Sequence, residues 1–443
     1  MLVPLSVPSP QEHPSFALTP ERARAVLFLG ALGVRLAALG ASIATARFPE
    51  FWEYEHIAQN LLHGRGFVYA HMGTDYRAYV EPLYPWLVTG TYLVAGPHAL
   101  ALAAVQCVLS ALTAVALYEV ARCTFGPRTG FAAGALLTLH PALAWYATKF
   151  HPLVLDALFI TLVVLTTLRL ARQPGLGNAV LVGMALGACV LTRPTILAFV
   201  PAALAWVAWR RAWPGTRLLA LSLTIAALIV GPWIARNYAA LGTLVLTRTN
   251  TGYVFWLGNH PGSTGGASDA SGRVSLFDAA PSELRQRILA VDEVTQNRIF
   301  LTEALDYVRA DPDAFVGRTL LKLGYFWWKA PYSGRGYARS QLALYHGVYV
   351  ALIVLAAVGL LAARRDPVPG QADGVALALA LLATISVTQS LFYVDARHRL
   401  AVEPLLVVFS GHGLVRILLR DRILRGRRRE AAREPVRLDA TNT

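Results

Sequence analysis

The stretch "ALALAAVQCVLSALTAVALYEVA", residues 99–121, decides the fold, because it is an apolar run long enough to cross a bilayer as one helix. Two further runs of similar length are "AVLFLGALGVRLAALGASIATA" (25–46) and "LALYHGVYVALIVLAAVGLLAA" (342–363). Of the 443 residues, 55% are hydrophobic and only 15% are charged, whereas soluble domains carry about a quarter charged residues. The sequence therefore predicts an all-α polytopic membrane protein.

The basic residues indicate how the chain is oriented in the membrane. The formal net charge of +14 comes largely from loops and from the C-terminal "RDRILRGRRREAAREPVR". Lysine and arginine beside spans favour the cytoplasmic side, so this charge indicates topology rather than nucleic-acid binding. The basic loops all fall on that side if "LYPWLVTGTYLVAG" (83–96) is an interfacial or re-entrant element. Both termini are then cytoplasmic, in an inner (cytoplasmic) membrane.

The predicted topology has about ten spans, within a range of ten to twelve. They lie near 25–46, 99–121, 129–147, 152–172, 177–193, 195–210, 217–238, 342–363, 374–393 and 400–419. No cleaved signal peptide is predicted, and the first span itself acts as the membrane signal. The predicted organisation is a cytoplasmic segment 1–24, a transmembrane catalytic module 25–238 with a first outer loop 47–98, an outer-face region 239–341 with interfacial helices, C-terminal transmembrane helices 342–420, and a basic cytoplasmic tail 421–443.

Acidic residues are concentrated in the first outer loop, in "FPEFWEYEHIAQNLLHGRGF" (48–67). The spacing of its apolar residues predicts a short helix over about 50–63. Glu50 and Glu53 lie three residues apart and share one face of this helix, while Glu55 points away from them. A carboxylate near the positive end of a helix stays ionised, as a general base must. The alternative is a solvated acidic helix end without a catalytic role.

A second acidic residue, Asp156, lies about one turn inside an otherwise apolar span. An unpaired acid there costs several kcal/mol, so we expect it to be functional or paired. Lys149 and His151 are its nearest predicted partners in the sequence. A purely structural ion pair with Lys149 is the alternative.

Several basic residues are predicted at the outer ends of spans, where they could bind an anion. Arg193 lies in the tight turn "LTRPT", and Arg397, His398 and Arg399 belong to "DARHRL". For each arginine, snorkelling to lipid head groups is an alternative.

The outer region 239–341 contains a glycine-rich loop, "WLGNHPGSTGG" (256–266). Its Asn259 and His260 could contact a sugar or a pyrophosphate-like group if the loop closes as a lid. A plain connecting loop is the alternative.

Several of these segments, taken in order along the chain, resemble segments of the GT-C fold membrane glycosyltransferases. Within that fold they resemble the group that contains bacterial aminoarabinose transferases and relatives of protein O-mannosyltransferases. The matching segments are "EFWEYEHIAQNLLHGRGF", "EPLYPWL", "FGPRTGFAAGALLTLHPALAWYATKFHPLVLDAL", "GACVLTRPTIL", "RNYAALGTLVLTRTNTGYVFWLGNHPGSTGG" and "DARHRLAVEPLLVVFSGHGL". The resemblance extends from about residue 25 to residue 420.

The resemblance implies transfer of a sugar from a polyprenyl phosphate carrier at the outer face, with inversion at the anomeric carbon. The family's catalytic base is an acid four residues before a tyrosine, and counting back from Tyr54 gives Glu50. Glu53 competes with Glu50 for this role. Relatives have a basic residue where this chain has Glu81, so the phosphate must be bound by other residues or through a divalent metal cation.

The resemblance also implies that Asp156 is a second acidic residue of the site, because relatives often have an acidic residue at this point, near the second outer loop. The predicted substrate-binding residues are Tyr54, Glu81, Lys149, His151, Arg193, Asn259, His260, Arg397, His398 and Arg399. The implied partners are a polyprenyl-phosphate sugar donor, membrane lipids and an acceptor of unspecified class, which could be a lipid, a protein or a wall polymer.

Two other classes of function remain open at this point. A multispan carrier or flippase for a lipid-linked sugar would need polar groups at mid-membrane depth, and these are scarce in the sequence. A non-catalytic assembly scaffold would tolerate replacement of the outer acidic residues.

Overall fold

The computed structural model describes residues 18–49, 51–210, 214–269, 271, 274–328 and 337–431. Apart from one two-stranded hairpin, the regular structure in these ranges is helical, so the predicted all-α fold is confirmed. In chain order the helices are α1 Pro20–Ala44, α2 Glu53–Leu62, α3 Leu83–Ala95, α4 Ala99–Phe125, α5 Pro127–Thr138, α6 Pro141–Tyr146, α7 Leu153–Arg172, α8 Leu176–Thr192, α9 Phe199–Arg210, α10 Pro214–Leu241, α11 Thr251–Gly258, α12 Ser282–Leu289, α13 Glu293–Ala310, α14 Pro312–Trp327, α15 Arg339–Arg365, α16 Gln371–Leu391, α17 Ala396–Leu400 and α18 Glu403–Ala431.

Two short elements complete the list. A 3₁₀ helix, Pro194–Ala198, lies between α8 and α9. The antiparallel strands β1 (Tyr69–His71) and β2 (Thr74–Tyr76) form a hairpin between α2 and α3. Met72 and Gly73, which connect the strands, both have positive φ, as a tight two-residue hairpin turn of type I′ requires.

The bundle has the composition of a polytopic membrane protein. Within the described residues, six helices are long and apolar enough to cross a membrane: α1, α4, α7, α10, α15 and α16. Two shorter apolar helical segments, α8 and the 3₁₀ helix with the first part of α9 (Pro194–Val207), accompany them. These eight segments overlap eight of the spans predicted from the sequence, and the α5–α6 pair and α18 lie at the other two predicted spans, 129–147 and 400–419.

One predicted span is interrupted in the structure. The sequence predicts one helix over 129–147, but α5 ends at Thr138 and α6 begins at Pro141. Such a break leaves helix-end carbonyl groups without partners. Arg35 of α1 supplies them, because it donates from Nη1 to the Thr138 carbonyl (2.7 Å) and from Nη2 to the Leu137 carbonyl (3.2 Å). Its Nε also donates to Ser110 Oγ (3.1 Å) and its Nη1 to the Ala31 carbonyl (3.3 Å), so the buried cation has four acceptors.

Close packing of α15 against α18 depends on glycine. A Cβ atom at Gly413 would lie 2.0 Å from the Leu355 carbonyl oxygen, and one at Gly359 would lie 2.1 Å from the Phe409 carbonyl oxygen. Neither position has room for a side chain. Helix contacts of this kind are common in membranes, because small residues allow backbones to approach and to pack by van der Waals contact.

Polar contacts are concentrated at the two ends of the bundle. At one end, Glu119 of α4 pairs with Arg24 (2.6 Å), Arg122 (2.7 Å) and Arg169 (3.7 Å). The other end, called the site end below, carries α6 and the elements that connect the passes there, namely α2, the hairpin, α3, α11 to α14 and α17. The candidate functional residues belong to the site end.

Candidate functional site

Asp156 is paired with Arg193 at the site end. Asp156 lies in the first turn of α7 and is 1% exposed, and Arg193 caps the C-terminus of α8. Their Oδ2 and Nε atoms are 3.1 Å apart. The expectation that Asp156 pairs with Lys149 or His151 is therefore wrong. The partner comes from a neighbouring helix because the ends of α7 and α8 meet here, a contact that sequence distance does not reveal.

Lys149 and His151 make other contacts. The Lys149 ammonium lies 3.4 Å from the Arg47 carbonyl oxygen and 5.5 Å from the centre of the Trp145 ring. His151 accepts a hydrogen bond at Nδ1 from the Leu153 amide (3.1 Å). Burial lowers the pKa of His151 well below its ordinary value, and the charges of Arg397 and Arg193 lower it further. His151 is therefore neutral at physiological pH.

A second ion pair joins Glu81 and Arg248. Glu81 Oε1 lies 3.2 Å from Arg248 Nε, and Glu81 is 7% exposed. Sequence reasoning missed Arg248. The sequence does contain a clue to Arg248, because "LTRTN" (246–250) repeats the beginning of "LTRPT" (191–195), which contains Arg193. Both arginines neutralise an acidic side chain at the site end.

Tyr54 lies among these charged groups. Its ring packs edge-on against Tyr84, with 5.1 Å between ring centres, and against His151 at 6.1 Å. Burial raises the pKa of the Tyr54 hydroxyl well above its ordinary value; Glu53 raises it further, against a smaller lowering by Arg193. The phenol is therefore a proton-bearing hydrogen-bond donor beside acidic and basic residues.

Glu53 is the described first-loop acid that faces this group of charges. It begins α2 and is half-buried. Burial raises the pKa of its carboxyl group, while the helix-start backbone and the Arg397 charge act in the opposite direction. A carboxylate with a raised pKa is a stronger base than an exposed one. Glu50, the competing candidate, lies outside the described residues.

Arg397 is held at the site by aromatic and polar contacts. Its guanidinium lies over the Trp52 ring at 5.4 Å, and its Nη2 donates to the Tyr393 hydroxyl (3.3 Å). Asp395 is 3.7 Å away. Trp52 immediately precedes Glu53, so this contact brings α17 to the start of α2.

His398 also lies at the site end, as a neutral group. Its Nδ1 accepts from the Asp395 amide (3.1 Å). Burial lowers the pKa of His398 well below its ordinary value, and the neighbouring Arg193 and Arg397 add to the effect. The positive charge of the site therefore comes from arginine and not from histidine.

Arg399 is directed away from the site into a buried network. Its Nε donates to Glu403 Oε1 (2.6 Å), and its Nη1 donates to the carbonyls of Phe326 (2.8 Å) and Trp328 (3.1 Å). The other oxygen of Glu403 is 2.8 Å from His140 Nε2. Arg399 therefore ties α17 to α14 and α18, and its donors face these protein groups.

Asn259 and His260 are likewise engaged within the protein. Asn259 is fully buried, accepts from Lys322 Nζ (3.0 Å) and donates to the Leu391 carbonyl (2.7 Å). The His260 ring stacks on Trp256 with 4.2 Å between ring centres. Burial lowers the pKa of Lys322 to about 7, with a further lowering by Arg318. The glycine-rich loop is thus fixed to the segment that precedes α17.

A cavity of about 250 Å³ opens beside Arg397. Most of its lining is apolar or aromatic, and Asp395 and Arg397 bring charge to it. The lining includes Trp145, Tyr146, Trp328, Leu342, Leu344 and Tyr345. A long apolar space with arginine at its side suits a molecule that combines a hydrocarbon chain with an anionic head.

A divalent cation needs several oxygen or nitrogen donors converging on one point. Among the described residues, no group of three or more His, Cys, Asp or Glu side chains is placed to hold one. Asp156 and Glu81 instead face arginines. The described side chains therefore do not fit a metal ion.

Part of the chain matches a known family in sequence. Residues 80–235 match the model of the dolichyl-phosphate-mannose-protein mannosyltransferase family. None of the curated proteins matches the chain.

Solved structures share its fold. The apo oligosaccharyltransferase of Archaeoglobus fulgidus superposes with a TM-score of 0.55 at 15% identity, over 94% of this chain and 52% of that one. Its complex with an inhibitory peptide and a dolichol-phosphate gives 0.52 at 13% identity, over 96% and 52%. Its complex with Zn and sulfate gives 0.54 at 15% identity, over 90% and 49%. This chain spans about half the length of that enzyme.

A second solved protein is matched less closely. ArnT from Cupriavidus metallidurans, bound to undecaprenyl phosphate, gives a TM-score of 0.44 at 16% identity, over 88% of this chain and 77% of that one. The likeness to the oligosaccharyltransferase shows that the chain has the GT-C fold of membrane glycosyltransferases. The resemblance inferred from the sequence is thereby confirmed.

Proposed function

We propose that the protein is an inverting glycosyltransferase that moves a sugar from a polyprenyl-phosphate carrier to an acceptor hydroxyl at the outer face of the cytoplasmic membrane. One observation carries the proposal: the half-buried carboxylate of Glu53 lies within electrostatic reach of the Arg397 guanidinium, and Arg397 lines a largely apolar cavity. The partial match to a mannosyltransferase family and the dolichol-phosphate bound by the related oligosaccharyltransferase support a lipid-phosphate donor.

In the proposed reaction, the acceptor hydroxyl oxygen attacks the anomeric carbon as the bond from that carbon to the phosphate oxygen breaks. A glutamate at the start of α2, Glu53 or Glu50, takes the hydroxyl proton. The bonding electrons leave with the polyprenyl phosphate. A single displacement of this kind inverts the anomeric configuration, because the nucleophile enters opposite the leaving group.

Arg397 is assigned to the leaving phosphate. An arginine fork matches phosphate oxygens and stabilises the negative charge that develops on them. The cavity beside it takes the first isoprene units of the carrier, whose burial in an apolar space is favourable. Arg193 is neutralised by Asp156 and has a positioning role toward Tyr54 and Arg397.

The zinc held in one oligosaccharyltransferase structure raises the question of a metal in this chain. The described acidic side chains do not form a donor set for one. In the proposed mechanism, arginine therefore stabilises the phosphate charge.

The experiment is a transfer assay with purified protein in nanodiscs and a radiolabelled polyprenyl-phosphate sugar. We expect Arg397→Gln to weaken donor binding by at least tenfold. Arg309→Gln is the matched control, because Arg309 is exposed on α13 and contacts only Asp306 (2.9 Å) among the described residues. NMR of the product should show an anomeric configuration opposite to that of the donor. Retention of configuration, or unchanged donor binding in Arg397→Gln, contradicts the proposal.

A further inference from the structure

We propose that the aromatic face of the β1–β2 hairpin binds the acceptor, and that the acceptor is a carbohydrate. This proposal rests on the function proposed above, because it assigns the second substrate of the same site. It identifies the acceptor as a sugar hydroxyl rather than a serine or threonine of a protein.

The hairpin carries a compact group of aromatic rings, called the aromatic face and formed by Tyr69, His71, Tyr76 and Tyr79. The rings of Tyr69 and His71 stack at 5.4 Å, and Tyr79 lies 4.9 Å from Tyr69 and 5.2 Å from His71. Tyr76 lies 5.0 Å from Tyr79. Four rings from an eleven-residue stretch, 69–79, therefore form one cluster, in which Tyr69, His71 and Tyr79 are partly exposed and Tyr76 is buried.

The aromatic face is held rigidly. Arg77 donates its amide to Glu293 Oε1 (2.6 Å), and the Tyr76 hydroxyl donates to the Gln296 side chain. Gln296 in turn donates to the carbonyl of Met72 (3.1 Å) at the hairpin turn. These contacts tie the hairpin to α13, so the rings are preorganised and lose little freedom when a ligand binds.

The aromatic face lies beside α2. The Asn60 amide donates to the Val68 carbonyl (2.8 Å), and the rings of His56 and Tyr69 are 6.1 Å apart. Glu53 lies three residues before His56 and so occupies the same side of the helix. Arg397 approaches Glu53 from α17 instead, over Trp52.

This arrangement separates the two substrates. The base must lie on the acceptor side of the anomeric carbon, and the leaving phosphate lies on the opposite side. With the phosphate at Arg397, the acceptor enters from the hairpin. The aromatic face is the surface that meets it there.

The chemistry of the face fits a sugar. The apolar C–H side of a pyranose packs on the electron-rich faces of aromatic rings, and phenol hydroxyls can bond its hydroxyl groups. The Tyr69 and Tyr79 hydroxyls form no hydrogen bond with another described residue, and both side chains are partly exposed. Burial lowers the pKa of His71, so its ring is neutral and presents a stacking surface rather than a charge.

The test is ligand binding rather than turnover, so that its outcome is independent of catalysis. The wild-type protein in nanodiscs is examined by saturation-transfer-difference NMR with methyl glycosides of glucose, galactose, mannose and arabinose, and separately with a serine- and threonine-containing peptide. Tyr69→Leu and His71→Leu remove rings from the face. Tyr238→Leu is the matched control, because Tyr238 is 59% exposed near the site end of α10 and outside the face.

We expect at least one glycoside to bind, with saturation strongest on the C–H protons of one pyranose face, and a fivefold or greater loss of affinity in Tyr69→Leu and in His71→Leu but not in Tyr238→Leu. Absence of glycoside binding, equal binding in all three variants, or binding of the peptide alone overturns the assignment. A Glu53→Gln protein that binds glycoside but transfers no sugar supports both proposals. If the wild-type protein transfers sugar normally and the ring variants leave the acceptor KM unchanged, the acceptor-site proposal is wrong. The glycosyltransferase proposal then still holds.

Discussion

The carboxylate of Asp156 and the guanidinium of Arg193 form a buried ion pair, with 3.1 Å between Oδ2 and Nε, where α7 begins and α8 ends. The pair joins two membrane passes and places one neutralised arginine beside Tyr54. Neither carboxylate oxygen of Asp156 has a hydrogen bond of good geometry with another described group, so the pair is held mainly by charge. Removal of the pair should therefore lower both the stability and the activity of the protein.

Asp156→Asn should lower the free energy of unfolding by about 3 kcal/mol, because it leaves the positive charge of Arg193 without compensation in a largely buried place. The measurement is unfolding by SDS titration. Asp306→Asn is the control, since its pair with Arg309 is exposed and should contribute about 0.5 kcal/mol or less. Equal effects of the two substitutions would show that the buried pair contributes little.

On the acidic side of the pH profile, activity should fall at a pH above the ordinary pKa of a glutamate. The proposed base must be ionised, and burial raises the pKa of Glu53. Activity should therefore fall as pH decreases through a value above about 4.3, the unperturbed pKa of a glutamate. The measurement is kcat/KM for the donor against pH. A limb at or below the ordinary value would contradict a role for Glu53 as the base.

Arg35→Met should destabilise the protein by about 2 kcal/mol, because the Thr138 carbonyl loses its side-chain donor where α5 ends and the Leu137 carbonyl keeps only the His140 amide. The free energy of unfolding is again measured by SDS titration. Arg22→Met, on the exposed start of the same helix, should leave it nearly unchanged. A destabilisation of similar size in both variants would mean that the helix break does not depend on Arg35.

The two ends of the bundle should face opposite sides of the membrane. In a protein with its three cysteines replaced by alanine, we expect Asp75→Cys in the hairpin to react with a membrane-impermeant maleimide in intact cells. Gln173→Cys, in the connection between α7 and α8, should react only after the membrane is opened. The reverse pattern would place the site end in the cytoplasm and contradict the proposed topology.

The sequence predicted much of the fold because membrane spans depend on composition and length alone. The run 99–121 lies within α4, and the acidic stretch after residue 48 forms a short helix, Glu53–Leu62, close to the predicted 50–63. The division of 129–147 into α5 and α6 was not predicted. Pro141, which has no backbone amide to donate, begins α6 at the break, and Arg35 of another helix donates to the carbonyls left there; hydropathy reveals neither.

The candidate site was predicted in part. Glu53, Tyr54, Glu81, Asp156, Arg193, Arg397 and His398 are brought to one end of the bundle. Arg399 and Asn259 could not be distinguished from them in the sequence, because each adjoins site residues in the chain but turns its polar atoms toward buried protein groups. The pairing of Asp156 with Arg193, and of Glu81 with Arg248, depends on which helix ends meet in three dimensions.

The central claim is that a first-loop glutamate removes the acceptor proton. The most direct measurement compares the transfer rates of Glu53→Gln, Glu50→Gln and Glu55→Gln in purified protein with labelled donor. Glu55→Gln is the matched control, because Glu55 accepts a hydrogen bond from the Tyr92 hydroxyl (2.8 Å), a bond that glutamine can also accept. The account predicts a fall of about 100-fold or more in Glu53→Gln or Glu50→Gln with donor binding retained, and a near-normal rate in Glu55→Gln. Wild-type rates in both Glu53→Gln and Glu50→Gln would contradict it.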